Sequence, residues 1–265
     1  MNEQIICHQI GKSYGKKEVL KNIELTLEPH KIYGLIGRNG AGKTTLLSII
    51  SAQNDATTGS VTIGEAPVWE NEKNLGHICF SRELNTMMGT GANTLRIKDY
   101  LLVASLFLPN WDQKMAAELL KEFELNPKEK IHKLSKGMLS MVTILIALAS
   151  KADYTLLDEP VAGLDVVMRE KFYQLLLDEY ANTERTFIIS THIIEEAAAL
   201  FEEVIFLRDG GILIKENTDH LLERSIHVTG KEEDIRAIYP NQHYYAVEHM
   251  GRSMGCTLLL ESEND

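Results

Sequence analysis

Apolar positions along the chain repeat with two periods, and the switch between them divides it into regions. Residues 5–10 and 23–27 alternate apolar and polar, which predicts half-buried strands. The run Ile32-Tyr33-Gly34-Leu35-Ile36 is continuously apolar apart from its glycine and reads as a buried strand, followed by a helix over 45–50. Short runs at 61–63 and 75–80 add two strands. From about 81 to 151 the period becomes helical, with helices over 97–108 and 112–123 flanking Pro109-Asn110-Trp111. Asp112 is a good N-cap for the second of these. The run 138–149 is a buried helix, too short to span a bilayer. Strands return at 154–158, 186–190 and 204–207, with a helix over 166–180 between the first two and a helical run over 193–200. Asp209-Gly210-Gly211 signals a hairpin turn into 212–215. After Ser225, alternating runs at 226–228, 244–247 and 256–260 predict a small αβ appendage. This is an α/β chain: a parallel-sheet core with an N-terminal antiparallel β subdomain and an α-helical insertion. The expected domains are 1–224, with the insertion at about 81–151, and 225–265.

The chemistry concentrates where strands end. Gly37-Arg38-Asn39-Gly40-Ala41-Gly42-Lys43-Thr44 matches the phosphate-loop spacing G-x-x-x-x-G-K-[ST] between a strand and a helix. Glycines let backbone N–H groups curl around phosphate oxygens, and the helix start, including Thr45, adds partial positive charge. Lys43 suits the β- and γ-phosphates, and the Thr44 hydroxyl suits Mg²⁺. In Leu156-Leu157-Asp158-Glu159-Pro160 two carboxylates follow a strand. The carboxyl ends of parallel strands are where such sheets bind ligands, so Asp158 is a candidate Mg²⁺ ligand and Glu159 a candidate base for water. His192 follows the next strand and is a candidate γ-phosphate donor. Ser135, in Leu134-Ser135-Lys136-Gly137-Met138, caps the apolar helix or presents its terminus to an anion. A phosphate loop alone fits kinases, GTPases, helicases and transport ATPases.

Composition removes some partners. A formal charge of −11 and a pI near 5.3 exclude a broadly basic nucleic-acid surface, so no nucleic acid is expected. Cys7, Cys79 and Cys256 are widely spaced with no C-x-x-C pair, which suits unpaired thiols in a reducing compartment. The polar start Met1-Asn2-Glu3-Gln4 is unlike a signal peptide, so a cytoplasmic chain is expected.

Together these residues resemble an ATP-binding cassette (ABC) ATPase, over about residues 5–222. Leu134-Ser135-Lys136-Gly137-Met138 is similar to the family signature, Ala162-Gly163-Leu164-Asp165 to its D-loop, and His192 to its switch histidine. Tyr14 resembles the aromatic that stacks on adenine, although a surface turn residue fits the same position. The resemblance implies a P-loop NTPase core binding ATP and Mg²⁺ in a head-to-tail pair. Ser135 and Gly137 of one subunit would complete the site of the other, and Asp165 would connect the two sites. The mate is a second copy or a paralogous ATPase. At the end of the strand entering the insertion the family places a glutamine; here Phe80 takes that position, and Ser81 is the substitute metal ligand expected. Met138 and Met141 also depart from the signature pattern. Leu108-Pro109-Asn110-Trp111-Asp112 together with the signature looks most like ABC-2-type bacterial export ATPases. That branch implies a separate transmembrane permease, docking on the helical insertion, and peptide, antibiotic or other amphipathic cargo. The chain would then be peripheral to the inner face of the cell membrane. A membrane-independent mechanical or assembly ATPase is the alternative; a small-molecule kinase leaves the signature unexplained.

Overall fold

Two sheets and the helix between their chain segments form the main unit of the computed structural model, which describes residues 3–84, 94–183, 185–192, 198–240, 244–251 and 253–260. The first sheet contains β1 (Ile5–Tyr14), β2 (Lys17–Leu27), β4 (Thr58–Ile63) and β5 (Ala66–Pro67), in the order β2-β1-β4-β5. Its β1–β2, β1–β4 and β4–β5 pairs are antiparallel. The second sheet has the order β10-β9-β3-β8-β7-β6. It combines β3 (Ile32–Ile36), β6 (Ile78–Ser81), β7 (Tyr154–Asp158), β8 (Thr186–Thr191), β9 (Glu203–Arg208) and β10 (Gly211–Asn217). From β9 through β6 the pairings are parallel. Every residue of β3, β7 and β8 is buried, as expected of parallel strands covered on both faces.

One apolar cluster joins the two sheets to α1 (Lys43–Ile50): Ile5, Ile10, Leu20 and Leu27 meet Leu35, Leu156 and Ile188 around Leu46 and Leu47. The helices α3 (Ile97–Phe107), α4 (Gln113–Glu122) and α5 (Lys136–Ala149) form the insertion between β6 and β7. Asp112 caps α4 by accepting the Met115 N–H, and Ser135 caps α5 by accepting that of Met138. α6 (Val166–Thr183) then connects β7 to β8.

The far end of α5 is locked by buried charge. Arg185 donates to the carbonyls of Ala147, Leu148 and Ala152, to Thr155 Oγ1 on β7 at 2.5 Å, and to Glu179 on α6 at 2.8 Å. Lys151 adds a second cation at 2.7 Å from Glu179.

Three details differ from the sequence expectation. The strand expected over 75–80 begins at Ile78, because Leu75 ends a short helix, α2 (Glu72–Leu75), capped by the Asn71 side chain. In the helical run expected over 193–200, residues 193–197 lie outside the described residues, and Ala198–Leu200 is a single 3₁₀ turn. The smaller unit starts at Glu216 rather than 225. Arg224 holds it together, pairing with Glu216 at 2.8 Å and accepting the Leu260 N–H. This unit contains α7 (Thr218–Glu223), β11 (Ser225–Lys231), α8 (Glu232–Ile238), β12 (Tyr245–Met250) and β13 (Ser253–Leu259). Its antiparallel sheet is ordered β11-β13-β12, with Met254, Cys256 and Leu258 in its core. All three cysteines are free and buried, and burial, with Glu24 nearby, pushes the Cys7 thiol up to about 12.

Candidate active site

The turn from β3 to α1 makes the phosphate loop. Gly40 and Gly42 have φ of 85° and 111°, the left-handed region that glycine enters without steric cost. A Cβ on Gly42 would stand 2.7 Å from the Leu20 side chain, so the loop also needs the space. Ala41 N–H donates to the Arg38 carbonyl at 3.0 Å, and Lys43, Thr44 and Thr45 form the first turn of α1. A cavity of about 310 Å³ opens here, lined by Asn39, Gly40, Gly42, Lys43, Thr44 and Thr45 with Lys17, Val19, Arg38 and Glu159. Three cations and one carboxylate line it. On a chain of charge −11 this is a local inversion of sign that favours a polyanion. Gly37 begins the loop, and its carbonyl accepts the Lys43 ammonium at 2.7 Å.

The acids arrive from the neighbouring strands. Asp158 ends β7 in register with Ser190 on β8. Its two carboxylate oxygens accept from Thr44 Oγ1 at 2.6 Å and from Ser190 Oγ at 2.5 Å. Glu159 follows with φ of +49°, a strained conformation for a residue with a side chain, costing about 1–3 kcal/mol. The strain is held by its N–H, which donates to the Ser190 carbonyl at 3.1 Å and to Ser190 Oγ at 3.0 Å. Glu159 Oε1 lies 3.2 Å from Lys43 Nζ, and Oε2 lies 2.7 Å from His192 Nδ1. Oε1 is buried and makes no hydrogen bond, its contact with Lys43 being ionic only. Five residues expected to work together, Lys43, Thr44, Asp158, Glu159 and His192, are therefore contiguous. Ser190, fully buried, joins them as a residue the sequence reading missed.

The signature stands apart. Ser135 and Gly137 do not line the cavity. Ser135 is exposed at the start of α5, while the first turns of that helix meet the segment 162–165: a Cβ on Gly137 would be 2.8 Å from the Gly163 carbonyl oxygen, and Ser140 Oγ donates to the Ala162 carbonyl at 2.7 Å. Asp165 caps α6 by accepting the Met168 N–H at 2.9 Å. Tyr14 ends β1 opposite Lys17, which lines the cavity; the Tyr14 side chain is exposed and is not part of that lining.

The strand entering the insertion requires a correction. Phe80 packs against the core from within β6, one residue before the strand ends. Ser81 is buried and its hydroxyl donates to the Thr143 carbonyl on α5, not to the Asp158 cluster. Glu83 is the first carboxylate beyond the strand and pairs with Lys136 at 3.2 Å.

A family profile described as ABC transporter matches residues 20–162. The chain belongs to the ABC transporter family. This cassette is 34% identical over 216 residues to the tungstate uptake ATP-binding protein TupC of Peptoclostridium acidaminophilum, covering 79% of this chain and 96% of that one. It is 28% identical over 224 residues to the ABC transporter ATP-binding protein YtrB of Bacillus subtilis, covering 84% and 75%. An ATP-binding cassette solved as a dimer in a post-hydrolysis state with ADP and Pi is 26% identical, with a TM-score of 0.69 over 81% of this chain and 98% of that one. The cassette is an ATP-binding ATPase of the kind that dimerises and acts with permease subunits. Among the described residues, no helix is long and apolar enough to cross a membrane.

Proposed function

We propose that this cassette hydrolyses ATP at composite sites shared with a second cassette and powers a separate permease that exports amphipathic cargo, such as a peptide or antibiotic. The observation that carries the reading is a division of parts. Lys43, Thr44 and Glu159 line one cavity, while Ser135 and Gly137 line none of it and sit on a glycine-narrow surface suited to a mate's nucleotide. In the proposed site the loop 39–45 and Lys43 hold the triphosphate. Thr44 and Asp158 present hard oxygens of the kind Mg²⁺ takes. When bound, Mg²⁺ neutralises charge on the β- and γ-phosphates. Glu159 takes the proton as the water oxygen bonds to the γ-phosphorus and the bond to the β–γ bridging oxygen breaks, giving ADP and phosphate. His192 holds Glu159 through Oε2.

The permease reading is supported by α3, which leaves Leu102, Val103, Leu106 and Phe107 exposed on the insertion. A free-standing mechanical ATPase gives no use for that face. Docking there places the chain at the inner face of the membrane. Export is supported by 27% identity over 225 residues to the lantibiotic transport ATP-binding protein SrtF of Streptococcus pyogenes. Uptake is the second reading, favoured by the higher identity to TupC; cargo movement in inside-out vesicles carrying the co-purified permease separates the two. The composite site is tested with Glu159→Gln, which should lose turnover, keep ATP and run as a dimer by light scattering. A strictly monomeric ATP-loaded variant, alone and with each candidate mate, would overturn it.

A further inference from the structure

The surroundings of Tyr14 are more elaborate than a surface tyrosine needs. Lys12, two residues earlier on the same side of β1, is only 7% exposed although it carries a charge. The strand pairing shifts on both sides of it, between Ile10 and Lys12 and between Lys12 and Ser13. Such irregularities re-aim side chains. The Lys12 ammonium sits 5.1 Å from the centroid of the Tyr14 ring. It is fastened there by the carbonyl and carboxylate of Asp55, each at 2.7 Å. The bond to Lys12 holds the Asp55 carboxyl below its ordinary range. From the same segment, the Asn54 amide donates to the Tyr14 hydroxyl at 2.5 Å. The ring is thus pinned at its tip and covered by a cation on one side, yet it remains 51% exposed.

We propose that Lys12 and Asn54 are positioning residues that hold Tyr14 as a one-sided platform for the nucleotide base, and that the Lys12 charge tunes this platform toward purines. The proposal rests on the reading that Tyr14 contacts the base. A ring already fixed need not lose rotamer freedom when the base arrives. A cation on one side draws π density toward itself, so the open side favours an electron-rich, extended partner. Adenine fits that description better than a pyrimidine. An ion pair to the exposed Asp55 carboxylate contributes little stability, so fold alone does not account for a buried ammonium at this position.

Calorimetry with ATP, CTP and inorganic tripolyphosphate tests this on the full chain. Tyr14→Ala should weaken ATP binding and leave tripolyphosphate unchanged. Lys12→Met and Asn54→Ala should each weaken ATP about three- to tenfold, again without touching tripolyphosphate, and should add nothing in the Tyr14→Ala background. Lys12→Met should also narrow the preference for ATP over CTP, and Lys12→Arg should restore it. Tyr14→Phe, which keeps the ring but removes the Asn54 bond, should match Asn54→Ala and serves if Lys12→Met does not fold. If Tyr14→Ala binds ATP normally, the base-platform reading falls. If Tyr14→Ala weakens ATP but Asn54→Ala and Lys12→Met do not, only the positioning role falls. Equal losses for ATP and tripolyphosphate would also overturn that role.

Discussion

Replacing Ser190 with alanine removes one hydroxyl from the centre of the site. That hydroxyl donates to Asp158 Oδ1 at 2.5 Å and accepts the Glu159 N–H at 3.0 Å. The N–H keeps its second acceptor, the Ser190 carbonyl at 3.1 Å, so its loss is partial. Asp158 keeps Thr44 but loses a charge-assisted bond in a place shielded from water. A hydrogen bond to a charged group contributes about 1.5–3 kcal/mol, and removing one methyl-sized hydroxyl leaves little void, so about 2 kcal/mol is the expected destabilisation. For a chain of this size that lowers the melting midpoint by about 4–8 °C. The strained Glu159 backbone also loses one of its two restraints, so kcat should fall about tenfold, because the base moves relative to the attacking water. KM for ATP should change little, since the phosphate loop is untouched. Differential scanning fluorimetry and phosphate-release kinetics read both. A midpoint within about 1 °C of wild type together with unchanged kcat would refute the claim that Ser190 holds the two acids.

Other perturbations reach different parts of the argument. Gly137→Ala places a methyl 2.8 Å from the Gly163 carbonyl oxygen; ATPase activity should drop severalfold while ATP affinity of the monomer stays constant, measured by phosphate release and calorimetry. Arg185→Met strands Glu179, 4% exposed, with Lys151 alone, and urea unfolding should report a loss of about 3–5 kcal/mol. Burial alone would raise the Glu203 carboxyl, but Lys31 and Lys215 outweigh it and hold it below its ordinary 4.5. Its contribution to stability is therefore present above about pH 4.5 and lost as pH falls through the lowered value. Wild type should exceed Glu203→Gln in chemical-denaturation stability near neutrality, with the gap closing under acid.

The phosphate loop was legible because its chemistry requires glycine and lysine at fixed intervals, so spacing alone carries the geometry. Asp158 and Glu159 were legible only beside the phosphate loop, because two acids after a strand are, taken alone, commonly a solvated turn. The caps at Asp112 and Ser135 followed from local hydrogen bonding. Ser190 was not legible: a serine inside a hydrophobic strand looks ordinary until strand register puts it beside Asp158. Arg185 was hidden for the same reason, since its carbonyl partners lie at residues 147, 148 and 152 on another element. The beginning of β6 was misplaced because Leu75 extends an apolar run although it belongs to a capped helical turn. Ser81 as the substitute for the glutamine was read from its place beside Phe80, and a one-dimensional pattern could not show that its hydroxyl turns to the Thr143 carbonyl.

The Arg185 anchorage has a mechanical consequence. It fixes the C-terminal root of α5 to the central sheet, while the other end carries Ser135 and is bonded through Ser140 to the Ala162 carbonyl. A helix of 14 residues is about 21 Å long. A tilt of about 10° around that root would carry the tip through almost 4 Å, more than the reach of a hydrogen bond. Small rotations about that root would thus be magnified at the serine as a crane arm swings its hook, with the guanidinium as the pivot pin.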